Sequence, residues 1–119
     1  MKKKIFITGV AGFIGSRLAE LILSKKNYEV FGIDNLNDYY SIKLKQHRLE
    51  KLNKYAGFSF QKNDLNDVVS NKEIFKKFRP HFVVNLAAQA GVRYSKENPV
   101  SYVNLNIDGF LKIISLSKL

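Results

Sequence analysis

Eight residues near the start of the chain, Thr8 to Gly15, read TGVAGFIG and place three of its seven glycines at intervals of three. They follow a short apolar run, KIFIT (Lys4 to Thr8), and lead into Ile14, Leu18, Leu21 and Ile22, which recur at helical spacing. A buried strand that ends on glycines and continues as a helix leaves few folds open. Each glycine has a physical use in that setting. Gly9 permits a sharp turn off the strand, Gly12 lets backbone come close to a diphosphate, and Gly15 lets the helix pack against the sheet. The helix start then offers N–H donors and the positive end of its dipole to an anion. A plain tight turn is the competing reading of the loop taken alone.

The same alternation repeats along the chain. EVFGID (Glu29 to Asp34) predicts a second strand and FSFQK (Phe58 to Lys62) a third. Between them the segment around KLKQHRLEKLNK (Lys43 to Lys54) sets Ile42, Leu49, Leu52 and Ala56 near one helical face, with the charges outward. Ser70 and Glu73 have capping-box spacing ahead of Ile74, Phe75 and Phe78, and Pro80 stops that helix. FVVNLAA (Phe82 to Ala88) predicts a fourth strand whose near-continuous apolar run implies burial on both faces. Asn98 and Pro99 supply an N-cap and a first-turn proline, and Val103, Ile107, Phe110, Leu111 and Ile114 form the face of the last helix.

The order βαβαβαβα means an α/β fold: a Rossmann-type parallel sheet with right-handed crossovers, helices on both faces and strand order 3-2-1-4. Such sheets usually reach about six strands. This one is expected to be incomplete, with strand four left at an edge despite its interior-type sequence.

Composition narrows the partners. One domain fits in 119 residues. The absence of cysteine excludes a disulfide scaffold, a thiolate metal site and a cysteine nucleophile. His47 and His81 are isolated and make no metal-ligand spacing, so no metal is expected. No apolar run approaches the ~18 residues of a membrane span, and MKKK is followed directly by a strand pattern, not a signal-peptide core. A cytoplasmic protein is expected. The net charge of +10 comes from scattered lysines without interleaved aromatics, which fits a solvated surface and not a nucleic-acid site.

Asp34 gives the glycine loop its meaning. It ends the second strand 19 residues after Gly15, near the spacing of a ribose-binding acid. Its carboxylate can accept both hydroxyls of an adenosine ribose and would repel a 2′-phosphate, which favours NAD over NADP. A turn former or helix cap is its alternative role. Asn35, Asn37 and Asp38 are candidate helpers around the ribose, although DNLND is also good turn chemistry. Asp64 and Leu65, just past the third strand, would lie over the adenine, the carboxylate accepting its amino group and Leu65 packing on its face. A loop cap is the competing role for Asp64.

Three stretches together resemble a known family. TGVAGFIG has the Gly-x-x-Gly-x-x-Gly spacing of the extended short-chain dehydrogenase/reductases. GIDNLNDYYSIKLKQHRL and NLAAQAGVRYSKENPVSYVNLNIDGFL resemble its nucleotide-sugar epimerase branch, and within it the UDP-glucuronate 4-epimerases, over essentially the whole chain. The resemblance implies that Gly9, Gly12, Phe13, Ile14 and Gly15 hold a pyrophosphate, that Asp34 and Asn35 hold the ribose, and that Asp64 and Leu65 hold the adenine. Leu86, Ala87, Ala88 and Gln89 would line the path to the nicotinamide, and Asn106 would brace the active-site floor. Asn85 departs from the family, where histidine is usual, with little effect expected on cofactor binding. Arg93 follows the fourth strand where a UDP-sugar acid would lie, and its guanidinium suits a diphosphate or a carboxylate. An ordinary surface arginine is the alternative.

In this family a tyrosine deprotonates the sugar's C4 hydroxyl while hydride passes to NAD, and hydride then returns to the opposite face. The tyrosine belongs to a Tyr-x-x-x-Lys pair that lowers its pKa from the ordinary ~10. Tyr39 and Lys43 have that spacing but follow Asp34 on the adenosine side, so no residue of this chain is expected to be catalytic. The chain is therefore expected to be the N-terminal part of such an enzyme, to bind NAD weakly or not at all by itself, and not to epimerise. The resemblance implies a homodimer for the full-length enzyme. For the fragment, the unpaired strand four implies a non-native oligomer. Other NAD-dependent dehydratases, decarboxylases or reductases of UDP- or dTDP-sugars share these motifs, and a stand-alone NAD-binding module is the non-enzymatic alternative.

Overall fold

The computed structural model describes residues 2–37, 41–87 and 96–118, with backbone alone at 101, 102 and 105. Four parallel strands, β1 (Lys3–Thr8), β2 (Tyr28–Asp34), β3 (Phe58–Lys62) and β4 (Phe82–Asn85), lie in the order β3-β2-β1-β4. The register aligns Ile5 with Val30 and Phe82, and Val30 with Phe58. Helices α1 (Phe13–Leu23), α2 (Ile42–Leu52) and α3 (Val68–Phe78) make the crossovers. The chain closes with α4 (Pro99–Val103), a π-helical turn (Asn104–Gly109) and α5 (Phe110–Ser117).

Strand alternation divides the core into two layers. Ile5, Ile7 and Val30 point to the side of α1 and α2, where Ala19, Leu23, Leu49 and Leu52 cover them. Phe6 and Ile33 point to the other side, against Leu65, Ile74, Phe75, Ile113 and Leu116. Phe6 has no exposed surface and meets the Phe75 ring edge-on at 4.7 Å. Parallel strands buried on both faces in this way require helices on both sides.

Several expected faces are corrected. On α1 the buried positions are Gly15, Ser16, Ala19 and Leu23, with Leu18 and Ile22 half-buried, whereas Ile14 and Leu21 are exposed. On α2 the buried positions are Lys45, Leu49 and Leu52, while Ile42 and Ala56 are exposed. Not all of its charges face outward. Helix α3 begins before the Ser70–Glu73 pair: Asp67 is the N-cap and its carboxylate accepts the Ser70 N–H at 3.1 Å. Arg79, in the left-handed region at φ 52°, ends it ahead of Pro80. Strand β4 is shorter than expected and is not buried on both faces: Phe82 is exposed and Val83, Val84 and Asn85 are half-buried.

The last helix differs most. Val103, Ile107, Phe110, Leu111 and Ile114 are all exposed, and the buried side chains are Ile113 and Leu116. The segment is apolar nearly all round, so its composition does not select a face. The π-helical turn also breaks the 3.6-residue period used to extrapolate one.

Candidate cofactor cradle

Among the described residues, the predicted ones that follow β1, β2, β3 and β4 lie at the carboxyl edge of the sheet, where open α/β sheets bind ligands. Gly9 leaves β1 at φ +70°, a conformation that side chains resist, and a Cβ there would lie 2.8 Å from the Ala87 nitrogen. Its N–H and that of Val10 both donate to the Ile33 carbonyl, at 2.9 and 3.2 Å, which stitches the loop to the end of β2. Gly12 donates to the Gly9 carbonyl at 3.0 Å. Gly15 serves the loop itself more than helix–sheet packing: a Cβ would lie 2.2 Å from that same carbonyl oxygen.

Gly12 is the N-cap of α1 and makes no side-chain capping bond. The first-turn N–H groups have no acceptor within a helix. The residues that carry them, Phe13 and Ile14, are exposed, and N–H groups at a helix start favour an anion.

Asp34 is 9% exposed, and its carboxylate is tied on both oxygens. Oδ2 accepts the Ala11 N–H at 3.0 Å and Oδ1 accepts the Leu36 N–H at 2.9 Å. A carboxylate oxygen has two acceptor directions, so one bond on each does not exhaust it. The turn-forming and ligand-binding readings of Asp34 are thus compatible. Asn35 Oδ1 accepts the Asn37 N–H at 3.0 Å, and Asn35 Nδ2 reaches Asp64 Oδ2 at 3.5 Å. The Asp64 carboxylate also accepts the Asn66 N–H at 2.8 Å. Leu65, by contrast, is 2% exposed, its side chain packed in the second core layer.

At the far end, buried Thr8 joins β1 to β4. Its hydroxyl donates to Asn85 Oδ1 and accepts the N–H groups of Leu86 and Ala87 at 3.0 and 3.1 Å. The asparagine at position 85 therefore serves as an acceptor in this clamp. Asn106 lies in the π-helical turn. Ala88, Gln89 and Arg93 lie outside the described residues, as do Asp38 and Tyr39. Lys43 is exposed on α2.

Three supporting residues escaped the reading of the sequence. Lys45, 6% exposed, donates from Nζ to the Asn37 carbonyl and to Asn37 Oδ1 at 2.9 and 3.0 Å. Arg48 donates to the Ala11 carbonyl at 3.1 Å, with its guanidinium 5.9 Å from the Phe13 ring. Asn66 is bonded to Asp64 and to the π-helical turn. Lys45 and Arg48 sit three apart on one helix, and that spacing was the only available signal. Among the described residues no group of His, Asp or Glu could hold a metal, and no helix is long and apolar enough to cross a membrane.

Comparison with known proteins matches residues 6–119 to the family model described as GDP-mannose 4,6 dehydratase. Protein CapI of Staphylococcus aureus is 49% identical over 97% of this chain, and the UDP-glucuronate 4-epimerase of Thermodesulfobacterium geofontis is 46% identical over 94%. The chain spans 34% of the length of each. Among solved structures, the Bacillus cereus UDP-glucuronic acid 4-epimerase in complex with UDP-glucuronic acid and NAD superposes with a TM-score of 0.86 at 31% identity. The superposition covers 97% of this chain and 36% of that one.

Proposed function

The chain belongs to the GDP-mannose 4,6 dehydratase family, within the extended short-chain dehydrogenase/reductases, and on that premise we propose that it forms the NAD-binding part of a UDP-glucuronate 4-epimerase. The observation that carries the reading is the pairing of an uncapped, glycine-lined helix start with Asp34, whose carboxylate is bonded to the Ala11 N–H of the same loop. The residues present fit the group. The first-turn N–H groups after Gly12, beside Phe13, Ile14 and Gly15, would meet the pyrophosphate. Asp34, with Asn35 and Asn37, would hold the adenosine ribose, and Asp64 with the Leu65 backbone would meet the adenine. Leu86, Ala87, Ala88 and Gln89 would line the way to the nicotinamide, with Arg93 on the sugar nucleotide and Asn106 bracing the floor.

NAD, when bound, supplies the hydride acceptor and donor for inversion at the sugar's C4. The chain's own residues bind and orient. None of the described ones is assigned a proton transfer, since exposed Lys43 lies on α2, which follows the adenosine side. Epimerisation is proposed for the whole protein, as a cytoplasmic homodimer, because the relatives' length extends well past these residues. The chain by itself is proposed to bind NAD weakly and to leave UDP-sugars unchanged.

Calorimetric titration with NAD and NADP, together with product analysis on UDP-glucuronate, tests the reading. The whole protein is expected to form UDP-galacturonate and to prefer NAD. A decarboxylated or dehydrated product would place it in another branch of the family, and turnover by these 119 residues alone would overturn the division of labour.

A further inference from the structure

The π-helical turn Asn104–Gly109 is held at both ends by one short loop from elsewhere in the chain. At its first residue, the Asn104 carbonyl accepts Asn66 Nδ2 at 3.0 Å. At its last, Gly109 packs so closely on Leu65 that a Cβ would lie 2.9 Å from the Leu65 Cβ and Cδ1. Leu65 and Asn66 are neighbours in the loop after β3 that also carries Asp64.

The Asn66 amide is used throughout. Nδ2 reaches Asp64 Oδ1 at 3.3 Å as well as Asn104, and Oδ1 accepts Lys112 Nζ at 2.8 Å from the first turns of α5. A π-helical turn holds one residue more than the α-helix around it, and such turns concentrate at functional sites. Its surplus residue has no intrinsic place along a helix, so its position must be set by outside contacts. Here those contacts are a hydrogen bond at one end and a steric fit at the other, with Asn106 between them.

We infer that the Asp64–Asn66 loop is a register lock for the π-helical turn, and that Asn66 is a positioning residue for Asn106. The Asn106 part rests on the proposed function, and the lock does not. One loop then faces the cofactor through Asp64 and fixes the active-site floor through Asn66. The two roles separate chemically, because the Asn66 backbone N–H bonds Asp64 Oδ1 at 2.8 Å and survives substitution of the side chain.

Amide hydrogen exchange of the chain without cofactor tests the lock. In Asn66→Ala, which removes the bonds to the Asn104 carbonyl and to Lys112 Nζ, amides of residues 104–109 are expected to exchange roughly 5- to 10-fold faster, with α1 unchanged. Unchanged exchange there overturns the lock. Should that variant fail to fold, Lys112→Met, which removes only the bond to Asn66 Oδ1, is expected to shift the same amides by a smaller factor, and no shift overturns the lock equally.

The positioning role is tested in the whole protein. Asn66→Ala is expected to lower kcat for UDP-glucuronate roughly 10- to 100-fold, as misplaced active-site groups do, with the NAD dissociation constant within about 2-fold because the Asp64 contact persists. An unchanged kcat beside an active wild type overturns the positioning role. A wild type that does not epimerise overturns the proposed function, while the exchange result still decides the lock.

Discussion

Gly15→Ala sets two physical effects against each other. In an exposed helix interior, glycine to alanine stabilises by about 1 kcal/mol through helix propensity. At Gly15 the added methyl would lie 2.2 Å from the Gly9 carbonyl oxygen and 3.1 Å from the Val10 Cα. Both are backbone atoms that no rotamer change can move. The loop or the first turn of α1 must shift by about 1 Å to restore ordinary contact, and strain of this kind costs roughly 1–3 kcal/mol. The same carbonyl accepts the Gly12 N–H at 3.0 Å, so the shift also weakens a bond of about 1 kcal/mol. The net expectation is a destabilisation of about 1–3 kcal/mol, opposite in sign to the propensity effect. Urea denaturation followed by circular dichroism measures it, and a Tm lowered by about 3–5 °C per kcal/mol accompanies it in a chain of this size. Gly12→Ala is the internal control, since its Cβ would meet the Gly9 oxygen at 3.2 Å and cost less. A Gly15→Ala variant more stable than the wild type would refute the argument that the loop's own backbone demands this glycine.

Asp34→Asn retains one acceptor but turns an NH₂ group toward the Ala11 or Leu36 N–H; a stability loss of about 1–3 kcal/mol is expected by denaturation. In the whole protein the NAD-over-NADP preference should narrow about 10-fold with the charge gone, as read by calorimetry. Lys45→Met keeps the length of the buried stem but removes both bonds to Asn37, so NAD affinity is expected to fall about 5- to 20-fold through a loosened ribose loop, with kcat at saturating NAD unchanged. Thr8→Val removes the hydroxyl shared by Asn85 Oδ1 and the Leu86 and Ala87 N–H groups, of which Leu86 keeps the Thr8 carbonyl at 3.2 Å; a loss of about 1–3 kcal/mol is expected in the same denaturation assay.

Much of this architecture was legible in the residues. Strands β1 to β3, the parallel order 3-2-1-4 and the glycine turn all follow from local patterns: short apolar runs, helical spacing, and glycine where a carbon side chain cannot fit. The setting of Asp34 was legible for the same reason, since one βαβ unit brings it to the loop that its spacing predicts. The helix faces were less legible. Ile14, Leu21 and Ile42 fit a 3.6-residue pattern yet are exposed, because burial depends on where the neighbouring layer ends and not on periodicity alone. Ser70 and Glu73 had capping-box spacing, but Asp67 came first in the chain and took the cap.

The order of elements, the turn chemistry of TGVAGFIG and the acid bonded to that loop could be read along the chain, since each depends on residues close together in it. Which charges are structural depended on long-range packing. Lys45 resembles its solvated neighbours in composition, yet it is buried with its Nζ bonded to the Asn37 carbonyl. Asn66 and Asn104 are 38 positions apart, and nothing local marks their bond. Which side of the last helix is buried was likewise settled by the sheet and α3 covering Ile113 and Leu116. In an all-round apolar helix, only contact with a second element distinguishes one face from another.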